Sequence, residues 1–286
     1  MNVLNQALAG VLTGLVYGLM ALGLSVIFGV VRVVNFAHGE MMTIAMYAAV
    51  VLFAALGLDP FVAVLPVAIA FFAFGYVIQR TLINPFVTRP EHSQFMLLVA
   101  VAIIMVNVLL MVFGPGARSV QLDSLLEPIE LGPLLLDRGK FLAAGVACAT
   151  TALLFAFFRF ARTGKAIRAC ADNHLGAKVI GLDVKKLYAL TFGLGSACVA
   201  VAGCMMILLV DVTPTLGPAY TLLAFVIVIV GGLGSMPGAL LGGVLIGVSE
   251  ALAGLFIAPS AKSMASFALL ILVLLLRPQG LLGKKS

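Results

Sequence analysis

A succession of apolar runs, each close to the length of a bilayer crossing, leaves this chain few folds to adopt. A spanning helix needs ~20 predominantly apolar residues. Such runs fall near Leu4–Val31, Phe36–Leu56, Phe61–Ile78, Phe95–Phe113, Phe141–Phe158, Leu187–Val210, Tyr220–Val230, Gly238–Ala258 and Met264–Leu276. Of 286 residues, 63% are hydrophobic and 10% charged, against about 45–50% and about 25% in soluble domains. The pattern predicts an all-α polytopic membrane helix bundle in which residues 1–286 form a single transmembrane domain. Nine spans are expected, and eight or ten are compatible. The first two runs could be one span plus a re-entrant piece, and Tyr220–Val230 is too short to cross ~30 Å as a straight helix. Met1 to Gly10 carries no Lys or Arg, unlike the start of a secretory signal, so the first helix is expected in the mature protein.

Charge placement sets an orientation. Of 17 Lys and Arg, seven (Arg159, Arg162, Lys165, Arg168, Lys178, Lys185 and Lys186) lie between the fifth and sixth runs, facing only Asp172 and Asp183. Short loops rich in Lys and Arg stay in the cytoplasm. Segment 159–187 is therefore expected there, with Arg80, Arg89, Arg277, Lys284 and Lys285. Asp59, Asp211 and the acid-bearing segment from Asp123 to Asp137 suit the opposite side, with the N-terminus outside. The net charge of +6 reflects this asymmetry rather than nucleic-acid binding, since no aromatic platform is interleaved with the cations.

Several chemistries are excluded. Cys148, Cys170, Cys198 and Cys204 have no metal-site spacing, and only three histidines are present. No GxSxG, HExxH or GxxxxGK[ST] occurs. No catalytic residue, metal or cofactor is expected, and any ATP that drives this chain must be hydrolysed by another subunit.

Glycines mark the packing. Gly10, Gly14 and Gly18 recur at intervals of four, and so do Gly243, Gly247 and Ala251, smooth stripes that let backbones approach. Two other places interrupt the apolar pattern. One is VRVVNFAHGEMM, Val31 to Met42; the other is GGLGSMPGALLGG, Gly231 to Gly243. Ionisable residues at membrane depth mark function by default, and paired interruptions in two halves of a chain point to discontinuous helices around a substrate path. Asn35, His38, Glu40, Gly231, Gly232, Gly234, Ser235 and Gly238 are therefore candidate pathway residues. Bland accounts stand beside this one. Asn35 could cap a helix beginning at Phe36, Glu40 could pair with a neighbouring subunit, and GGLGSMPG could be a tight surface turn. His38 and Glu40, two apart, face different sides of a helix, which argues against a proton-relay dyad. Glu250 is expected to pair within the bundle.

VYGLMALGLSVIFGVVRVVNFAHGEMMTIAMYAA, TGKAIRACADNHLGAKVIGLDVKKLYALTFGLGSACVAVAG and AFVIVIVGGLGSMPGALLGGVLIG resemble, in order and spacing, the hydrophobic (branched-chain) amino-acid permease subunits of bacterial ABC importers. The resemblance implies a type II-like importer transmembrane domain in the bacterial inner membrane. Its implied partners are a second related permease, two cytoplasmic ATPases that use the ATP, and a periplasmic binding protein. Urea and amide permeases share much of the pattern, and a self-sufficient ion-coupled carrier using Glu40, Glu250 or Asp211 is the competing class. Within 159–187, short helices over Ala166–Leu175 and Ala177–Leu182 with breaks at Gly164, Gly176 and Gly181 resemble the family's coupling segment. That likeness marks Gly164, Arg168, Ala169, Ala171, Asp172, Gly176, Lys178 and Gly181 as candidates for ATPase coupling; docking of the binding protein is expected on the opposite face, including 114–139.

Overall fold

The computed structural model describes residues 2–122, 125, 127–131 and 134–283; Asp123, Lys284 and Lys285 lie outside them. The elements are α1 (Asn2–Val31), α2 (His38–Leu56), α3 (Pro60–Ile78), α4 (Glu91–Phe113), a short hairpin of β1 (Ile129–Leu131) and β2 (Leu134–Leu136), α5 (Arg138–Phe160), α6 (Arg162–Asp172), α7 (His174–Val179), α8 (Val184–Met206), α9 (Gly217–Gly231), α10 (Met236–Phe256) and α11 (Lys262–Leu276). Eight helical stretches among the described residues are long and apolar enough to cross a membrane, and α9 is a shorter apolar helix. The chain is a polytopic α-helical membrane protein.

Helix starts follow local chemistry. Asp59, Asp137, Asp183 and Ser235 each accept a hydrogen bond from a backbone N–H in the turn they precede, at 2.9, 2.9, 3.1 and 3.2 Å, which satisfies donors that a helix start leaves open. Gly57, at φ 63°, ends α2 in the left-handed conformation that glycine adopts without penalty.

The two small-residue stripes seen in the sequence meet each other. A Cβ on Gly14 would lie 2.7 Å from Gly243 O, and one on Gly10 would lie 2.8 Å from both Gly247 O and the Ala251 Cβ. Helices α1 and α10 thus run antiparallel in close contact, from Gly10 beside Ala251 to Gly18 beside Leu240, and Gly29 meets Gly234 in the turn before α10. Helix α1 also crosses α8 where Gly23 and Gly195 abut, and α8 packs against α3 through Gly75 on Ser196 and Gly193 on Phe72. Without a hydrophobic drive between helices in lipid, such close van der Waals approach is what holds a bundle together.

The packing has an internal regularity. Exchanging α1, α2, α3 and α4 for α8, α9, α10 and α11 maps the α1–α10 pair onto α8–α3 and α2–α3 onto α9–α10, while α1–α8 and α2–α9 map onto themselves. Helix α1 runs toward the basic end of the molecule and α8 away from it, so the two halves are inverted. No repeat at the level of residues announces this relationship.

Most of the basic residues described collect at one end, with Arg118, Arg138, Lys140 and Lys262 at the other. The backbone N–H groups of Leu281 and Leu282, in the segment after α11, donate to Val230 O and Gly231 O at the end of α9, both at 2.9 Å. At the other end, Arg118 and Val212 exchange backbone hydrogen bonds of 2.9 and 2.8 Å, tying the α4–α5 connection to the α8–α9 connection.

Candidate functional site

Two helices begin inside the bundle rather than at its ends. After α1 reaches the basic end at Val31, the chain turns at Arg32, a non-glycine residue at φ 58°, and re-enters as irregular backbone with a turn at Phe36 and Ala37 before α2 starts at His38. His38 Nε2 bonds Met20 O at 2.9 Å. Met20 is eleven residues, about 16 Å at the helical rise, from the end of α1 at Val31. Half of a ~30 Å core is about this depth. Helix α9 starts from the other side at Gly217 and runs 15 residues to the basic end, about 22 Å. Irregular backbone at such depth is tolerated only where protein or a wet cavity covers it.

The two starts meet. A Cβ on Gly39 would collide with Gly217 O and the Thr221 backbone N, and one on Gly217 would lie 2.9 Å from Glu40 Cα. Only two glycines allow this approach. The Thr221 hydroxyl accepts from Gly39 N at 2.8 Å and donates to Glu40 Oε2 at 2.9 Å. Glu40 is 3% exposed and sits in the first turn of α2 against the first turn of α9, where two helix N-termini both favour negative charge. The Glu40 carboxyl is the group that suits this convergence. Its partner is in its own chain, and the expected pairing with a neighbouring subunit is replaced by Thr221.

Asn35 also differs from expectation. Helix α2 begins at His38, with Ala37 as the residue before it and no side-chain cap. Asn35 instead accepts from Ala37 N at 3.1 Å and points its amide at Met41 Sδ at 3.7 Å; it closes an Asx turn that shapes the re-entrant segment. His38 is fully buried, and with Nε2 engaged by Met20 O its Nδ1 has no partner among the described residues. Glu250 accepts from the Ser266 hydroxyl at 2.6 Å, linking α10 to α11, the pairing inside the bundle that its place in the sequence predicts. Asp211 is exposed in the α8–α9 connection.

The GGLGSMPG stretch is the turn between α9 and α10 at the basic end. Gly231 and Gly238 lie backbone to backbone, Gly232 at φ 106° and Gly234 at φ 76° reverse the chain, and Ser235 caps α10. A cavity of about 2210 Å³ opens beside it, lined by Arg32, Gly234, Ser235, Arg168, Ala171 and Asp172 among others. This space brings together members of both candidate groups. Asn35, His38 and Glu40 are sealed behind its wall, and Gly231, Gly232 and Gly238 lie outside its lining.

Segment 159–187 forms a helical hairpin at the basic end. Its break falls at Asn173 rather than Gly176. Asn173 adopts extended backbone and accepts from Gly176 N at 2.9 Å, so it caps α7 and Gly176 becomes part of that helix. Gly164 is inside α6, pressed on the Phe157 carbonyl, where a side chain would hold α6 off the end of α5. Gly181 is a true break at φ 84°. Ile167, Cys170 and Ala177 are buried. Arg168, Ala169, Asp172 and Lys178 are exposed and Ala171 partly so. Leu175, Val179 and Ile180 are 62%, 87% and 72% exposed, an apolar surface on an otherwise cationic hairpin.

Sequence reasoning misses Thr221, Gly39 and Gly217. The Gly217–Pro218 pair opening a run too short to span is the available signal, since proline favours the first helical turn.

Known proteins resemble this chain over nearly its whole length. It is 33% identical to the high-affinity branched-chain amino acid transport system permease protein LivH of Salmonella typhimurium, over 98% of this chain and 96% of that protein. Identity to BraD of Pseudomonas aeruginosa, a permease protein of the same description, is 31% with the same coverage. It is 28% to the probable branched-chain amino acid transport permease protein LivH of Methanocaldococcus jannaschii, over 93% of this chain and 88% of that one. Residues 6–274 match the family described as the permease component of the branched-chain amino acid transport system, and with α2 and α9 both starting at membrane depth inside a bundle of apolar helices, the chain belongs to that family.

Proposed function

We propose that this chain is the membrane-spanning subunit of an ATP-driven importer of branched-chain, leucine-like amino acids in a bacterial inner membrane. It works with a second related permease, two cytoplasmic ATPases and a periplasmic binding protein, and holds no cofactor. The names of its relatives support the cargo. The observation that carries the reading is the apolar face of Leu175, Val179 and Ile180 on the basic hairpin. Exposed apolar side chains outside the bilayer mark a docking surface, and a cytoplasmic ATPase is the partner whose closure the hairpin would transmit.

In this reading Gly164 and Gly181 set the hairpin against α5 and α8, Asn173 and Gly176 set its internal bend, and Arg168, Ala169, Ala171, Asp172 and Lys178 form the surface that moves with the ATPase. Movement of α6 is relayed to the cavity that Arg168, Ala171 and Asp172 share with Gly234 and Ser235. The substrate route runs beside the sealed meeting point of α2 and α9, where Asn35, His38 and Glu40 shape the re-entrant segment that walls it. It opens at the basic end past the turn that Gly231, Gly232 and Gly238 shape. Rocking of one inverted half against the other alternates the opening. The segment 114–139, tied to the α8–α9 connection through Arg118 and Val212, receives the binding protein.

Replacing Val179 and Ile180 by Asp in the full chain, co-expressed with its partners, tests the docking. The expected result is loss of co-purifying ATPase with unchanged chain yield; retained ATPase overturns it. In liposomes the chain alone should move no leucine. Concentrative uptake without ATP would refute the subunit reading.

A further inference from the structure

At the basic end of α3 the helix widens into a π-helical turn, Gln79–Ile83, next to the start of α8. We propose that the recess between them is a site for the phosphate-bearing headgroup of an anionic phospholipid. The recess has a volume of about 600 Å³ and is lined by Tyr76, Arg80, Asn84, Pro85, Asp183, Lys185 and Lys186.

Its floor is built from hydrogen bonds. Buried Gln79 donates from Nε2 to Asn84 Oδ1 at 3.1 Å, and Asn84 Nδ2 donates to Lys185 O at 3.2 Å. These bonds stitch the π-helical turn to α8 and hold Arg80, Lys185 and Lys186 around one hollow. Asp183, the only acid in the lining, is committed as the cap of α8, accepting from Lys186 N at 3.1 Å. No other carboxylate lines the recess beside Arg80, Lys185 and Lys186. Three cations against one carboxylate leave the recess net positive, and an anion relieves the remaining repulsion. The recess shares no lining residue with the large cavity.

The surroundings say where the anion comes from. Val77 and Leu82, on either side of Arg80, are 53% and 42% exposed, and the outward face of α3 continues apolar through Ile69 and Phe74. A ligand with a charged head and hydrocarbon tails matches both surfaces, and basic recesses between helices at the membrane edge take such headgroups. The π-helical turn supports the assignment, because a single widened turn re-aims side chains and is found at functional sites.

The test uses the full chain, freed of lipid in detergent and titrated by native mass spectrometry with phosphatidylglycerol and with phosphatidylcholine. Wild type should retain phosphatidylglycerol in preference, and Arg80→Ala with Lys185→Ala and Lys186→Ala should weaken that retention at least tenfold, given roughly fivefold per cation near a charged lipid surface. Removing three charges elsewhere on the same face, Arg89→Ala, Arg162→Ala and Lys165→Ala, should leave it unchanged. Arg80→Gln alone, a milder change, should weaken it about fivefold in a variant that elutes as wild type. Equal losses in the two triple variants, no preference between the lipids, or displacement of phosphatidylglycerol by millimolar inorganic phosphate would each overturn the assignment, the last in favour of a soluble anion. A first triple variant that keeps its lipid yet loses a co-purifying protein would also overturn it, giving the recess to protein docking.

Discussion

The Thr221 hydroxyl lies 2.8 Å from Gly39 N and 2.9 Å from Glu40 Oε2, so one side chain on α9 holds both the backbone and the acid at the start of α2. Through this contact the two discontinuous helices, reached from opposite ends of the bundle, are joined at depth. Thr221→Val keeps the shape and removes the hydroxyl, leaving Gly39 N and Glu40 without their partner. A loss of about 1–2 kcal/mol is expected, read as a lower unfolding midpoint in detergent, with Thr221→Ser close to wild type.

The Gly39–Gly217 approach is backbone on backbone, so neither position has room for a methyl group. Gly39→Ala should sharply reduce the yield of folded chain, measured by size-exclusion profile. At Gly145, in α5, an added Cβ would meet nothing within 4 Å, and Gly145→Ala should stay within about 1 kcal/mol of wild type. Equal behaviour of the two variants would contradict the packing described for α2 and α9.

Cys170 in α6 is buried, and burial, partly opposed by Lys178, raises its thiol above the ordinary range. The thiolate is the reactive form, so a raised pKa means less of it at neutral pH and more as pH climbs. Maleimide labelling of Cys170 should be slow at pH 7 and accelerate toward alkaline pH. A cysteine placed at Val179, 87% exposed, should label quickly at pH 7, and from the cytoplasmic side in the proposed orientation.

The segment after α11 closes the end of α9 through Leu281 N to Val230 O and Leu282 N to Gly231 O, with Gly280 at φ 77° turned against Gly232. Truncation after Arg277 frees those two carbonyls. Faster amide exchange in the last turn of α9 and in the α9–α10 turn is expected, at a cost of about 1–3 kcal/mol if the freed carbonyls find no other donor. Unchanged exchange would show that water replaces the segment.

Much of the architecture is legible in the sequence because lipid imposes a simple rule on it. Every stretch that crosses must be apolar and helical, so span positions, the brevity of Tyr220–Val230 and the α6–α7 hairpin all show in composition and punctuation. The stripes of Gly10, Gly14 and Gly18 and of Gly243, Gly247 and Ala251 announce tight packing, but the period of a stripe does not name its partner helix. Asn173 escapes a reading that ranks glycine as the stronger breaker, whereas an asparagine side chain that caps the next helix ends the previous one as firmly.

The chain's own order of residues determined that it is a membrane bundle with two interruptions, a basic end and a cationic hairpin, because these depend on transfer into lipid and on local backbone chemistry. What stands opposite Glu40, which stripe meets which, and how the inverted halves interlock were decided only in the tertiary structure. Thr221 is 181 residues from Glu40, and a pairing over that distance is set by the bundle's three-dimensional packing, which no local pattern encodes.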